Sequence, residues 1–183
     1  IAPVALPDLS SRYAGKIREQ AYRIRIAPAS IALQAPTPEG LFHAVQTLGQ
    51  IFAEARDVPC GEIVDWPDLP IRMIMIDAAR QNETFDYYKR VIDFCARWKI
   101  NAILCHLTDD ETSCLHHPDY PELLHPHAWR PEDIRDLVDY ARLRHIDLYP
   151  EVESLGHSRM FLRREDFRDI LHKTDGERTH SWM

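Results

Sequence analysis

The sequence predicts an α/β protein in two parts, a small α+β region followed by consecutive β-then-α units. Three observations carry this reading. Apolar and charged residues alternate with period two near the start, the pattern changes after Pro70 to nearly unbroken apolar runs, and each run is followed by a helical pattern. At 183 residues the chain has room for a small domain and part of a larger one, since domains cluster around ~100 to 150 residues.

The elements follow in order. After Pro3 and Pro7, Tyr22-Arg23-Ile24-Arg25-Ile26 alternates as a half-buried strand does, and Ser30 to Ala35 gives a second short strand. Thr37 is placed to cap a helix opening at Pro38-Glu39-Gly40, whose Leu41, Val45, Leu48 and Phe52 recur at three- and four-residue steps and should form its buried stripe. Glu62 to Asp65 reads as a returning strand, and Trp66-Pro67-Asp68-Leu69-Pro70 closes the region. Beyond it lie an apolar run at Ile71 to Ile76 and a helix from about Asp86 to Lys99 with Tyr88, Val91, Ile92 and Cys95 on one face. Next come a run at Asn101 to Leu107 and a loop rich in Pro and His. A helix beginning near Pro131 has proline in its first turn and Glu132 and Asp133 favourable to its dipole. Its Ile134, Leu137, Val138 and Ala141 should be buried. Ile146 to Val152 is a third parallel strand, and a further helix is expected around Asp166 to His172. Such units suit either an open doubly wound sheet or the beginning of a (β/α)8 barrel.

Composition narrows the function. Hydrophobic residues make up 45% and charged ones 28%, enough apolar material for a core. A formal charge of -7 with no basic run argues against nucleic acid as a partner. Cys60, Cys95, Cys105 and Cys114 form no C-x-x-C pair, which favours buried thiols over a metal site or disulfides. No apolar run approaches the ~18 residues that span a bilayer, so no membrane association is expected. The start at Ile1 reads as cut or processed, leaving localisation open. No Gly-rich phosphate loop follows a strand, which weighs against a nucleotide cofactor; no cofactor and no metal are expected.

Polar residues gather past the carboxyl ends of the three apolar runs: Asp77 and Arg80; His106, Asp109, Asp110 and Glu111; Glu151, Glu153 and His157. That edge is where barrels and open α/β sheets build active sites. Asp77 and Glu151 could equally bond nearby backbone amides. Arg80 offers a donor fork suited to adjacent hydroxyls or a carboxylate, and Asp109 paired with His157 would orient the imidazole and favour its charged form. His116, His117, His125 and His127 lack the spacing of a metal site.

At these positions the sequence resembles the family 20 glycoside hydrolases, the β-N-acetylhexosaminidases. The similar stretches are Ile76-Asp77-Ala78-Ala79-Arg80, Tyr88-Lys89-Arg90-Val91-Ile92-Asp93 leading to Lys99-Ile100-Asn101, His106-Leu107-Thr108-Asp109-Asp110, and Pro150-Glu151-Val152-Glu153-Ser154-Leu155-Gly156-His157. Thr37-Pro38-Glu39-Gly40-Leu41-Phe42 with Val45-Gln46-Thr47-Leu48 resembles the small α+β domain that precedes the barrel in that family.

The resemblance implies a hexosaminidase-like N-terminal domain over residues 1–68. Residues 69–183 would be the first three βα units of an incomplete (β/α)8 TIM barrel. It implies removal of terminal N-acetylhexosamine from β-linked glycans, with the substrate's own acetamido oxygen attacking the anomeric carbon. Arg80 would grip hydroxyls of the terminal sugar, and His106, Asp110 and Glu153 would also line the substrate pocket. Asp109 and His157 would tune a general-acid Glu that in the family follows an Asp after the fourth strand. No residue here matches that Asp-Glu pair, so the chain alone is expected to be an inactive fragment lacking the rest of the barrel. Gln81 stands where the family usually has His, Glu111-Thr112-Ser113-Cys114 replaces a Gln-Gly-Trp-containing stretch, and Glu153 replaces a more usual Asp. Competing readings are a sugar-binding pseudoenzyme on the same scaffold, related acetamido-sugar or uronic-acid hydrolases, and a metal-dependent hydrolase using His106, Asp109 and His157.

Overall fold

The computed structural model describes residues 2–6, 12–154 and 156–170. The chain forms two compact units interleaved along the sequence. One holds the residues up to Arg72 with Ile92–Asn101 and Arg144–Ile146; the other holds Met73–Val91, Ala102–Leu143 and the residues from Asp147 on.

In the first unit a short helix α1 (Ala14–Glu19) precedes strands β1 (Tyr22–Ala27) and β2 (Ser30–Gln34), helix α2 (Pro38–Glu54) and strand β3 (Gly61–Asp65). The strands form an antiparallel sheet in the order β2-β1-β3, with Ile24 opposite both Leu33 and Ile63. Tyr22, Ile24, Ala35 and Ala44 make the core, with Leu41 and Leu48 packed around it. Thr37 caps α2 as its sequence predicts: its hydroxyl accepts from the Gly40 amide at 3.2 Å and donates to the Glu19 carbonyl at 2.5 Å.

The expected buried stripe of α2 is only half right. Leu41 and Leu48 face the core, whereas Val45 and Phe52 are exposed. The orientation is set where the backbone comes closest to its neighbours, at Gly40. A Cβ there would lie 2.5 Å from the Ala21 carbonyl oxygen and 2.9 Å from the Ala35 Cβ. Small Ala44, one turn on, continues that face, and Val45 and Phe52 fall about 80–100° round the helix from it.

In the second unit β4 (Met73–Asp77), β5 (Ala102–His106) and β8 (Asp147–Glu151) form a parallel sheet in that order. Helices α3 (Phe85–Arg97), whose residues from Ile92 count with the first unit, and α4 (Pro131–Arg142) follow the first two strands. On α3, Tyr88, Ile92 and Cys95 are buried as expected, and the Tyr88 ring meets Trp129 edge-on at 4.7 Å. The strands pair in register, so side chains of one row point the same way. Met73, Ala102 and Asp147 make one row, Met75, Leu104 and Tyr149 the next, and Asp77, His106 and Glu151 the row at the carboxyl edge. On that face Met73, Met75 and Tyr149 are exposed; on the opposite face Ile103 and Cys105 are buried.

Three expectations need correction. The first parallel strand begins at Met73 rather than Ile71; the Arg72 amide is taken by the Asn101 side chain at 2.8 Å instead of entering the ladder. The Pro- and His-rich stretch is not simply a loop. It contains β6 (Ser113–Leu115), a 3-10 turn at Pro121–Leu123 and β7 (Leu124–Trp129), the strands pairing in parallel across a bulge. A three-residue strand and one with an internal proline carry no period to detect. Past β8 come a short helix α5 (Arg159–Leu162) and a 3-10 helix at Glu165–Ile170, where an α-helix to His172 was expected. His172 lies outside the described residues. Three of the four thiols are buried and all are free. Among the described residues no helix is long and apolar enough to cross a membrane.

Candidate active site

The site is assembled by the ends of β4, β5 and β8. Asp77, the last residue of β4, accepts the Arg80 amide at 2.9 Å and so closes the turn that follows. Its other carboxylate oxygen holds Arg80 Nε at 3.0 Å. The guanidinium thereby reaches Asp109, with Nη2 2.9 Å from Oδ2. His106 ends β5, and register places it beside Glu151. Its Nδ1 lies 2.8 Å from Glu151 Oε2 and its Nε2 lies 2.9 Å from Asp109 Oδ2. His157 brings Nδ1 to 3.4 Å from the same Asp109 oxygen on a left-handed backbone, φ 45°. The Asp110 amide donates to Asp109 Oδ1 at 2.6 Å.

Asp109 is thus a buried carboxylate hydrogen-bonded to His106 and the Asp110 amide and approached by Arg80 and His157, its side chain 4% exposed while Arg80 and His157 remain about half open at 50% and 48%. The anchor is dry and the reaching groups are wet. Burial by itself would raise the Asp109 carboxyl, but His106, the Asp110 amide, Arg80 and His157 together hold it below the usual carboxylate range. Burial would likewise lower the His106 imidazole; its bonds to Asp109 and Glu151 outweigh that and set it above an ordinary histidine.

Of the residues expected from sequence, Arg80, His106, Asp109 and His157 meet. Asp110 stays at the edge of the group, a carboxylate oxygen within 4.8 Å of the ligand-type atoms of Asp109 and His157, and its Oδ1 accepts the Arg159 amide at 2.9 Å, tying the segment after β8 to the loop after β5. Glu153 is fixed through its backbone, its amide donating to Thr108 Oγ1 at 2.7 Å. Its carboxylate lies near those of Glu151 and the ring of His106, all ligand-type atoms being within 4.8 Å of one another. Asp77 does bond a backbone amide, the modest role open to it, but braces Arg80 as well. Glu151 bonds a side chain rather than the backbone. Thr108 and Arg159 were missed. Asp77, His106 and Glu151 each lie one residue from the end of an apolar run, at Ile76, Leu107 and Val152, so their neighbourhood was legible but their shared register was not.

A parallel α/β sheet with charged side chains interlocked at its carboxyl edge is the architecture of a ligand-binding enzyme fold. Residues 70–180 match the model of glycosyl hydrolase family 20, catalytic domain, and residues 4–66 match that of glycosyl hydrolase family 20, domain 2. The chain belongs to glycosyl hydrolase family 20. It is 29% identical over 169 residues to a beta-hexosaminidase of Akkermansia muciniphila, covering 82% of this chain and 34% of that protein. A beta-hexosaminidase of Vibrio furnissii is 30% identical over 181 residues, with 85% and 30% covered. Among solved structures, an exo beta-N-acetylglucosaminidase from Vibrio harveyi in complex with N-acetylglucosamine superposes with a TM-score of 0.73 at 27% identity, over 86% of this chain and 29% of that one. The chain spans about a third of the length of the curated relatives it matches.

Proposed function

We propose that this chain supplies the substrate-gripping side of a β-N-acetylhexosaminidase, which removes terminal N-acetylhexosamine from β-linked glycans with the substrate's acetamido group as nucleophile. The observation that carries the reading is the convergence of Arg80, His106 and His157 on one oxygen of buried Asp109. Arg80, braced by Asp77 and half open, presents donors for sugar hydroxyls. Asp109 holds His157 toward solvent, where the imidazole can bond a general-acid carboxyl and adjust its proton affinity. Glu153 and Asp110 stand beside this mouth.

The Asp-Glu pair that protonates the leaving group and orients the acetamido group belongs, on this reading, to sequence other than these 183 residues. So do the further strands of a (β/α)8 barrel in which β4, β5 and β8 are the first three. Two features support that: the strands are parallel and in register, and Met73, Met75 and Tyr149 are uncovered on the face that a barrel turns inward. A division into domains at 1–68 and 69–183 is supported by the change from an antiparallel to a parallel sheet. The metal-dependent alternative is weakened at His106, both of whose nitrogens already serve hydrogen bonds; Asp109, Asp110 and His157 do bring ligand-type atoms within 4.8 Å of one another, and metal retained after dialysis against a chelator would favour that reading.

The test is hydrolysis of an aryl β-N-acetylglucosaminide by the whole gene product, wild type and Arg80→Ala. Turnover that falls about 10- to 100-fold in kcat/KM in the variant is expected for loss of a charged hydrogen-bonding group. A whole gene product that binds N-acetylglucosamine without cleaving the glycoside would instead be the pseudoenzyme.

A further inference from the structure

A neutral imidazole has one N–H to donate and one lone pair to accept, while an ionised carboxylate can only accept. His106 nevertheless has a carboxylate oxygen at hydrogen-bond distance from each ring nitrogen, 2.8 Å to Glu151 and 2.9 Å to Asp109. With a neutral ring and two ionised carboxylates, one contact would set lone pair against lone pair at a side chain that is 2% exposed, a costly arrangement away from water. The trio therefore holds one proton more than a neutral imidazole carries. Asp109 is a poor place for it, because the Asp110 amide donates to Oδ1 and the Arg80 guanidinium lies 2.9 Å from Oδ2, both of which favour the ionised carboxylate. Glu151 is partly open to solvent. The ring is the site with two acceptors ready for two donors.

We infer that Glu151 is a positioning residue: through His106 it keeps a proton bound between two carboxylates and so fixes the charge and place of Asp109. Its role in the reaction rests on the glycosidase reading above; the bound proton does not. The groups around the ring agree. Asp77 from β4, Asp109 and Asp110 from the loop after β5, and Glu151 and Glu153 from β8 and its loop outnumber the guanidinium groups of Arg80 and Arg159, so the surroundings favour the imidazolium. His157 meets Asp109 from the far side, its ring 6.3 Å from that of His106. A carboxylate set between two imidazoles and a guanidinium is held in place; remove the Glu151 charge and the ring of His106 gives up its second proton at a lower pH, so Asp109 loses a cationic neighbour there.

The experiment is a 15N-histidine NMR titration of the whole gene product, read at both ring nitrogens of His106, for wild type, Glu151→Gln and Glu151→Asp. Wild-type His106 is expected to be doubly protonated through neutral pH. Its midpoint should fall by about 1 to 3 pH units in the Gln variant and by less in the Asp variant, which keeps the charge on a shorter arm. A singly protonated His106 in wild type near neutral pH, or equal midpoints in wild type and Glu151→Gln, overturns the inference. If Glu151→Gln does not fold, the wild-type spectrum and Glu151→Asp decide. In an activity assay the alkaline limb of kcat should move down by the same interval with KM nearly unchanged, whereas a merely structural loss lowers kcat at every pH. A doubly protonated His106 in a protein that cleaves nothing removes the glycosidase reading and leaves the bound proton; cleavage with a neutral His106 does the reverse.

Discussion

At the scale of single residues, a guanidinium and two imidazoles crowd onto Asp109 Oδ2, and this crowding governs what its replacement does. Asp109→Asn removes the charge that holds Arg80 and His157 in place and leaves His106 facing an amide. In the whole gene product we expect kcat on an aryl N-acetylglucosaminide to drop about 100-fold, the scale of acid-base support, with KM within a few-fold; an unchanged kcat would remove Asp109 from the mechanism. The same pair sets a pH dependence of stability. Asp109 sits below its ordinary 3.8, so its contribution is present above that value and disappears as pH falls through the depressed folded value. His106 sits above its ordinary 6.5, so its contribution is complete below that value and is lost as pH rises through the elevated folded one. Urea midpoints measured from about pH 3 to about pH 9 should therefore peak between these limits, and Asp109→Asn should flatten the acid slope.

At the scale of elements, α2 gives the sharpest test of how packing overrides pattern. Gly40→Ala improves helix propensity by about 1 kcal/mol, yet its Cβ would press on the Ala21 carbonyl and Ala35. A net loss of about 1 to 3 kcal/mol is expected, read as a lower urea midpoint. Val45→Lys, on the exposed side, should stay within about 0.5 kcal/mol of wild type. Element types were legible where periodicity was strong: β1, α3, α4 and the three parallel strands all stand within a few residues of the sequence reading. The face of α2 was not, because Val45 and Phe52 fit a helical repeat as well as Ala44 does, and only the close approach at Gly40 selects between them. Of the site, the residue types at the strand ends were legible. Their partners were not, since nothing local says that His106 takes Glu151 on one nitrogen and Asp109 on the other.

At the scale of the molecule, the proposal that the catalytic Asp-Glu pair lies outside these residues and the exposure of Met73, Met75 and Tyr149 on the parallel sheet lead to one expectation: the 183-residue polypeptide alone shows no measurable hydrolysis of an aryl N-acetylglucosaminide, and turnover comparable to a complete enzyme would refute it. Thiol chemistry checks the packing independently. Burial pushes Cys95 and Cys105 up to about 11 and Cys114 up to about 12, whereas Cys60 is exposed. One thiol should react rapidly with a disulfide reagent under native conditions and the other three only on unfolding. The excursion from β6 to β7 has a wider implication. Its strands bond each other and the His116 amide reaches the Trp129 carbonyl at 2.9 Å, while the Cys114 amide ties it to the Leu107 carbonyl, just past β5, at 2.8 Å. Its side chains are anchored all the same, with Cys114 and Trp129 buried and Trp129 seated on Tyr88, so a change in the length of this excursion is expected to be tolerated only between those two fixed points.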